Sequence, residues 1–148
     1  MQTALGSWSV AGLVVEDAGQ PFSVTNGAGA SQTGLGLDLV NTVPGVPTYF
    51  GRKLNIKAFT ANAPGTYGNL QRNSFIAPAC LHVDPAVMKN FALFKDRLHL
   101  QLRAEAFNVL NHPNFIQPAS DFNTPSAFGQ LTAARDPRIL QLSANFLF

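Results

Sequence analysis

Ten consecutive residues, Arg97-Leu98-His99-Leu100-Gln101-Leu102-Arg103-Ala104-Glu105-Ala106, alternate without exception, apolar at every even position and polar or charged at every odd one. Side chains of an extended chain point to opposite faces with a period of two, whereas a helix repeats every 3.6 residues, so this stretch predicts a two-faced β-strand over Leu98 to Val109. The end of the chain repeats the pattern. Between Arg138 and Phe148, Leu140, Leu142, Ala144, Phe146 and Phe148 alternate with Gln141, Ser143 and Asn145, broken by Ile139 and Leu147.

Leu81 to Leu93 carries a third version, in which Val83, Val87, Phe91 and Leu93 share a face that Lys89 and Pro85 interrupt. Proline cannot donate to a sheet ladder. Ser7 to Glu16 is a fourth strand, rich in β-formers and apolar on both faces. Asp17 to Cys80 and Asn111 to Pro137 are rich in Gly, Pro, Asn, Ser and Thr and read as long loops, with short strands near Phe22 to Thr25 and Leu54 to Phe59. No stretch sustains a helical period or a fixed-length repeat, and the chain is predicted to be all-β.

Connection lengths add a constraint. Phe94 to Arg97 is a tight turn, while the connections before Leu81 and after Leu110 are long. Outer-membrane barrels have this asymmetry, with short periplasmic turns, long outer loops and strands of about 9 to 11 residues. In that frame Ser7 to Glu16 runs outward, Leu81 to Leu93 returns, Leu98 to Val109 runs outward and Arg138 to Phe148 returns to the periplasmic side. Leu98, Leu100, Leu102, Leu140, Leu142 and Phe146 then face lipid, with Phe148 in the interfacial aromatic girdle. His99, Gln101, Arg103, Glu105, Gln141, Ser143 and Asn145 face a wet lumen. Alternation equally describes a soluble β-sandwich, for example a carbohydrate-binding or adhesion module, in which a second sheet covers the Leu98, Leu100, Leu102 face.

Composition bears on the choice. Only 12% of the 148 residues are charged, against about 25% in ordinary globular proteins, and Phe occurs 12 times. The basic residues are scattered and the net charge is only +2, so the chain lacks the basic patch of a nucleic-acid binder. Its longest apolar run, Val10 to Val15, falls far short of the ~20 residues of a spanning helix. The first residues carry no basic region followed by an apolar stretch, so no secretory signal peptide is recognised and a chain destined for the outer membrane is expected to lack its beginning. A single cysteine, Cys80, allows no internal disulfide and reads as a small buried residue.

Chemistry-bearing patterns are sparse. His82 and Asp84 share a strand face and, with His99 across a hairpin, offer at most a partial metal site. No Ser, His and Asp arrangement or nucleophile elbow is recognisable. Gly27-Ala28-Gly29 and Gly34-Leu35-Gly36 lack the strand-to-helix context of a phosphate cradle. Neither catalysis nor a cofactor is expected. Tyr49, Phe50, Phe59, Tyr67, Phe75, Phe115, Phe122 and Phe128 sit in the expected loops, where they either fold the loop onto itself or stack on a ligand such as a sugar or siderophore.

Several pieces occur in a characteristic order: Trp8; Gly19-Gln20-Pro21-Phe22-Ser23-Val24; Ala58-Phe59; Ala63-Pro64-Gly65-Thr66-Tyr67-Gly68-Asn69; Arg72-Asn73; Val83-Asp84; and Lys89-Asn90-Phe91. They continue through Leu102-Arg103-Ala104-Glu105-Ala106-Phe107-Asn108-Val109-Leu110-Asn111-His112-Pro113-Asn114-Phe115, Phe128-Gly129, Arg135-Asp136-Pro137-Arg138 and the terminal Phe148. Together they resemble the C-terminal part of TonB-dependent outer-membrane receptors, in particular the Oar-like subgroup. Pro85, Cys80 and Ala79 depart from the usual pattern, so by that comparison the strand is expected to be bent or displaced.

The resemblance implies a single partial domain over residues 1–148, about four to six strands of a barrel that closes with about 22. Such a segment is not expected to transport anything alone, since the plug, the TonB-engaging motif and the upstream strands lie elsewhere, and TonB acts only through that missing N-terminal part. Its implied partners are outer-membrane lipid, the plug, the upstream strands and the barrel assembly machinery. The strand Leu140, Leu142, Ala144, Phe146, Phe148 carries the assembly signal. Arg103, Glu105 and Asn145 either bond the plug or form a hydrated wall network.

Overall fold

In the computed structural model, residues 6–34, 36–94 and 98–148 are described. Four long strands, β1 (Trp8–Asp17), β2 (Cys80–Leu93), β3 (Leu98–Phe107) and β4 (Ile139–Leu147), lie side by side in chain order in one antiparallel sheet. They coincide with the four stretches of alternating or β-rich sequence to within two residues at each end. The ends fall where the backbone turns left-handed: Ser7 before β1, Phe94 after β2 and Asn108 after β3 all have positive φ. Asn108 therefore stops β3 at Phe107, two residues short of the expected Val109. Of the expected turn Phe94 to Arg97, residues 95–97 lie outside the described residues; Leu93 and Leu98 pair on either side of it.

Pro85 does not displace β2. The strand runs through it and pairs it with Gly12 of β1. On the other side the ladder with β3 begins only at Ala86, opposite Glu105. Proline has no N–H to donate, and beyond it a different pairing takes over: Asp84 Oδ1 accepts from Asn108 N at 2.8 Å and Val83 O accepts from Val109 N at 3.0 Å. Cys80 is buried at the start of β2 and is a free thiol.

The sandwich expectation fails on this sheet. Among the described residues of this unit no second sheet lies over Leu98, Leu100 and Leu102; Leu102 is exposed and its two neighbours are half-buried. Among the described residues the outer strands, β1 and β4, have one neighbour each, so the sheet is open at both edges.

The long connections hold more structure than loops. Residues 18–79 and 115–134 form a second compact unit with a core of Phe22, Val24, Val40, Leu54, Ala58, Phe59, Leu70, Phe75, Ala77 and Phe128. Its strands are only two residues long: Pro21–Phe22 pairs with Phe75–Ile76, Thr25–Asn26 with Asp38–Leu39, Asn41–Thr42 with Phe59–Thr60, and Tyr49–Phe50 with Lys53–Leu54. Such pairs are too short to be stable alone, and packed rings link them: Phe75 meets Phe22 at 5.7 Å and Phe59 at 5.9 Å, and Phe59 meets Phe128 at 5.8 Å between ring centroids. Buried polar groups are paired, as burial requires. Asn26 Nδ2 donates to Asn62 Oδ1 (2.8 Å), whose own Nδ2 donates to Thr66 O (2.6 Å). Gly68 passes so close to Leu39 that a Cβ there would stand 2.0 Å from its carbonyl oxygen.

Candidate functional site

The register of the four strands sorts their side chains into two faces. On one, the cross-strand rows are Phe91, Leu100, Phe146; Trp8, Lys89, Leu102, Ala144; Val10, Val87, Ala104, Leu142; and Gly12, Pro85 continuing in register to Ala106 and Leu140. These rows are apolar except at Lys89, and the face continues through Val14 and Val83 to Glu16, which lies at its far end opposite Leu81. The face is also bare: Val10, Leu140 and Leu142 are 77%, 71% and 83% exposed. The terminal Phe148 lies one residue beyond β4 and is fully exposed.

Lys89 is the exception that the chain must accommodate. It is buried, its ammonium lies 5.1 Å from the Trp8 ring centroid and 5.5 Å from that of Phe91, and it donates to Gly6 O. Rings and a carbonyl thus stand in for water around a cation on an apolar surface. Trp8 and Phe91 are far from each other in sequence. Only the pairing of Trp8 with Lys89 in the β1–β2 register brings the rings to one ammonium.

The opposite face gathers all seven residues expected to face a lumen: His99, Gln101, Arg103 and Glu105 on β3, and Gln141, Ser143 and Asn145 on β4. Asn90, Gln101 and Asn145 form one row, and Gln101 Nε2 donates to Asn90 Oδ1 at 3.0 Å. Arg103 and Glu105 form an ion pair along β3. Arg103 Nε is buried with no hydrogen-bond partner among the described residues, a donor left available on this face. Leu13 and Val15 of β1 lie on the same face, so the polar character fades toward that edge.

His82, Asp84 and His99, which offered a partial metal site by their spacing, are not brought together. His82 pairs with Val15 and His99 with Ala92, ten positions further along β2, a separation of roughly 30 Å at strand rise. Among the described residues no cluster of three or more His, Cys, Asp or Glu forms.

Where β3 ends, the Asn108 to Asn114 segment builds a polar cap that sequence reading left unexplained. Asn108 Oδ1 accepts from His112 N (3.1 Å), and its Nδ2 donates to His112 O (3.0 Å) and Asp136 O (3.3 Å). Asn114, 1% exposed, bonds the backbone of Leu81 with both ends of its amide. The signal was present as three asparagines at a spacing of three, a residue type whose side chain mimics a peptide group and tolerates a left-handed backbone. Asn108 and Asn111 take that conformation.

Of the loop aromatics, Phe59, Phe75 and Phe128 are buried in the core of the second unit, whereas Tyr49, Phe50, Tyr67 and Phe115 keep exposed surface. In the same unit Asp38 accepts from Ser31 Oγ at 2.5 Å and Ser31 N at 2.6 Å. These bonds hold its carboxyl below the usual carboxylate range.

A family model described as an outer membrane beta barrel domain matches residues 1–141. No curated protein and no solved structure matches the chain.

Proposed function

The chain belongs to the outer membrane beta barrel domain family, and from that premise we propose that it is the C-terminal barrel segment of a TonB-dependent receptor of the Oar-like kind. It is an all-β, antiparallel piece of a barrel whose place is the outer membrane. The observation that carries the finer reading is the four-stranded sheet itself. It is apolar and bare on one face and polar on the other. One tight connection lies at one end and two long ones at the other. The ordered pieces from Trp8 to Phe148 that resemble those receptors agree with it.

In this reading the apolar face meets lipid, and His99, Gln101, Arg103, Glu105, Gln141, Ser143 and Asn145 line the lumen. The tight turn is periplasmic, and the Ala18–Ala79 and 115–134 segments belong to the cell exterior. Open edges expose N–H and C=O groups that hydrocarbon cannot satisfy, at several kcal/mol each. The free edges of β1 and β4 therefore take further strands, and β4 closes the barrel against the first. The assembly machinery reads Leu140, Leu142, Ala144, Phe146 and Phe148. The unpartnered Arg103 Nε suits a contact from the plug. The segment performs no catalysis and needs no cofactor; uptake belongs to the whole receptor, with TonB acting through its N-terminal part.

The test is expression behind an outer-membrane signal sequence, alone and with the preceding coding sequence, followed by membrane fractionation and a heat-modifiability gel. Heat-modifiable material that forms only with the preceding strands, and fails when Phe148 is deleted, is the expected result. A monodisperse, detergent-independent chain that unfolds cooperatively would overturn it.

A further inference from the structure

The unit formed by residues 18–79 and 115–134 contains a cavity of about 890 Å³, within the size range of small-molecule sites. Phe22, Tyr49, Ile76, Phe115 and Leu131 form its apolar walls. Four of these, Tyr49, Ile76, Phe115 and Leu131, are among the exposed large apolar residues of the chain, with Ile76 at 64%. Exposed apolar surface that converges on a concavity is surface that a ligand can cover.

Its polar lining is one-sided. Arg52 and Lys53, on the hairpin that joins Tyr49–Phe50 to Lys53–Leu54, both border the cavity, and among the described residues no Asp or Glu does. Neither side chain makes an ion pair among the described residues. Burial raises the Tyr49 hydroxyl above its ordinary value of 10.0, so that neighbour stays neutral and does not repel an anion. A sugar needs several fixed hydrogen-bonding side chains, and beyond the two cations and the Tyr49 phenol the lining offers only Gln130.

We propose that this cavity binds an organic anion with a flat, apolar ring body, its acidic group held by Arg52 and Lys53 and its rings packed between Tyr49, Phe115, Ile76 and Leu131. Ring contact supplies hydrophobic burial and stacking. The two exposed cations favour a carboxylate over an uncharged group of the same shape. The proposal names the ligand class for the receptor proposed above and rests on that reading.

The experiment titrates the chain assembled with its preceding strands and held in amphipol, with 2-naphthoate and with its neutral isostere 2-naphthamide, using ligand NMR line broadening and amphipol alone as the blank. Naphthoate is expected to bind at least tenfold more tightly than the amide. The double variant Arg52→Gln, Lys53→Gln changes only exposed side chains; it should abolish that preference while leaving amide binding in place. Ile76→Arg, at the exposed wall, should block both. Equal affinity for the two compounds, binding of neither, or a preference that survives the double substitution would overturn the proposal. Heat-modifiability is read on separate samples: a chain that assembles with its preceding strands but shows no carboxylate preference refutes this inference alone, and one that binds naphthoate yet never enters a barrel refutes the receptor reading.

Discussion

Asn114 pairs with Leu81 as a neighbouring strand would: its Oδ1 accepts from Leu81 N at 2.8 Å and its Nδ2 donates to Leu81 O at 2.9 Å. A side-chain amide has the donor and acceptor of a peptide group, so one residue can complete the start of β2 without a further strand. Its own carbonyl accepts from Arg135 N at 2.8 Å. Replacing Asn114 with Ala removes both bonds and should cost about 1–3 kcal/mol of stability. Asn114→Asp keeps the acceptor but turns the donor into an oxygen facing the Leu81 carbonyl, and adds a charge at a site only 1% exposed. Near neutral pH it should cost more than the alanine, and part of the loss should return once acid protonates the carboxyl and restores a donor. Denaturant midpoints of the three proteins at pH 7 and pH 4 check the order; an aspartate variant as stable as wild type at pH 7 would contradict the amide pairing.

Gly68 sets how closely two segments of the second unit approach. A Cβ at this position would meet Leu39 O at 2.0 Å and Val40 O at 2.4 Å, both rigid backbone atoms. Leu70 N donates to Val40 O at 3.1 Å just beyond this crossing, so the segment cannot back away without losing that bond. Gly68→Ala should destabilise this unit by about 2–4 kcal/mol, at the upper end of single-substitution effects. Limited proteolysis should then cut within residues 18–79 while fragments containing β2 and β3 survive. Gly45→Ala is the contrast: nothing lies within 4 Å of a Cβ there, so its cost is confined to the left-handed backbone at φ 76°, about 1–2 kcal/mol.

Asp38 gives the second unit an acid-sensitive joint. Its carboxyl, hydrogen-bonded first by the Ser31 hydroxyl and then by the Ser31 amide, titrates below its ordinary value of 3.8. A carboxyl whose folded pKa is depressed stabilises the fold fully above the unfolded value, and the contribution is lost as pH falls through the folded one. The Ser31 amide should therefore stay protected from hydrogen exchange at pH 5–7 and lose protection, after correction for intrinsic rates, below about pH 3.8. Asp38→Asn should remove this pH dependence. Protection that is flat across the range in wild type would show that the contact contributes nothing.

Strands were legible where one physical rule dominates. The 97–106 alternation fixes which side chains share a face, and the register confirms that sorting for every even and odd position of β3 and β4. Pro85 was legible as an irregularity but not in its outcome, because whether a missing N–H matters depends on which neighbour faces it. The second unit was legible only in fragments: short strands expected near Phe22 to Thr25 and Leu54 to Phe59 form at Pro21–Phe22, Thr25–Asn26, Lys53–Leu54 and Phe59–Thr60, but its packing was not. Its strands are two residues long, too short for any period, and its core is assembled from single residues such as Val24, Val40 and Phe128 that are far apart in sequence. Lys89 read as a flaw in an apolar face; its accommodation needs Trp8, which only pairing with β1 brings near.

The two faces of β4 can be separated by one residue step. Leu142 sits on the bare apolar face, 83% exposed, in the row with Ala104, Val87 and Val10. Gln141 is its neighbour in sequence but points to the polar face, directly across from Glu105. If the apolar face meets lipid, Leu142→Arg places a guanidinium in hydrocarbon and should cost about 2–4 kcal/mol near the middle of the bilayer. Gln141→Arg introduces the same side chain on the wet face, beside a carboxylate, and should be neutral or slightly stabilising. Both variants change net charge identically, so any difference reports the surroundings of the face and not electrostatics of the whole chain. The readout is the heat-modifiable fraction of the segment assembled with its preceding strands in lipid vesicles, followed through a denaturant titration. A large loss confined to Leu142→Arg supports the assignment of faces. Equal losses from both would mean that β4 has no lipid side, and a loss confined to Gln141→Arg would turn the sheet inside out.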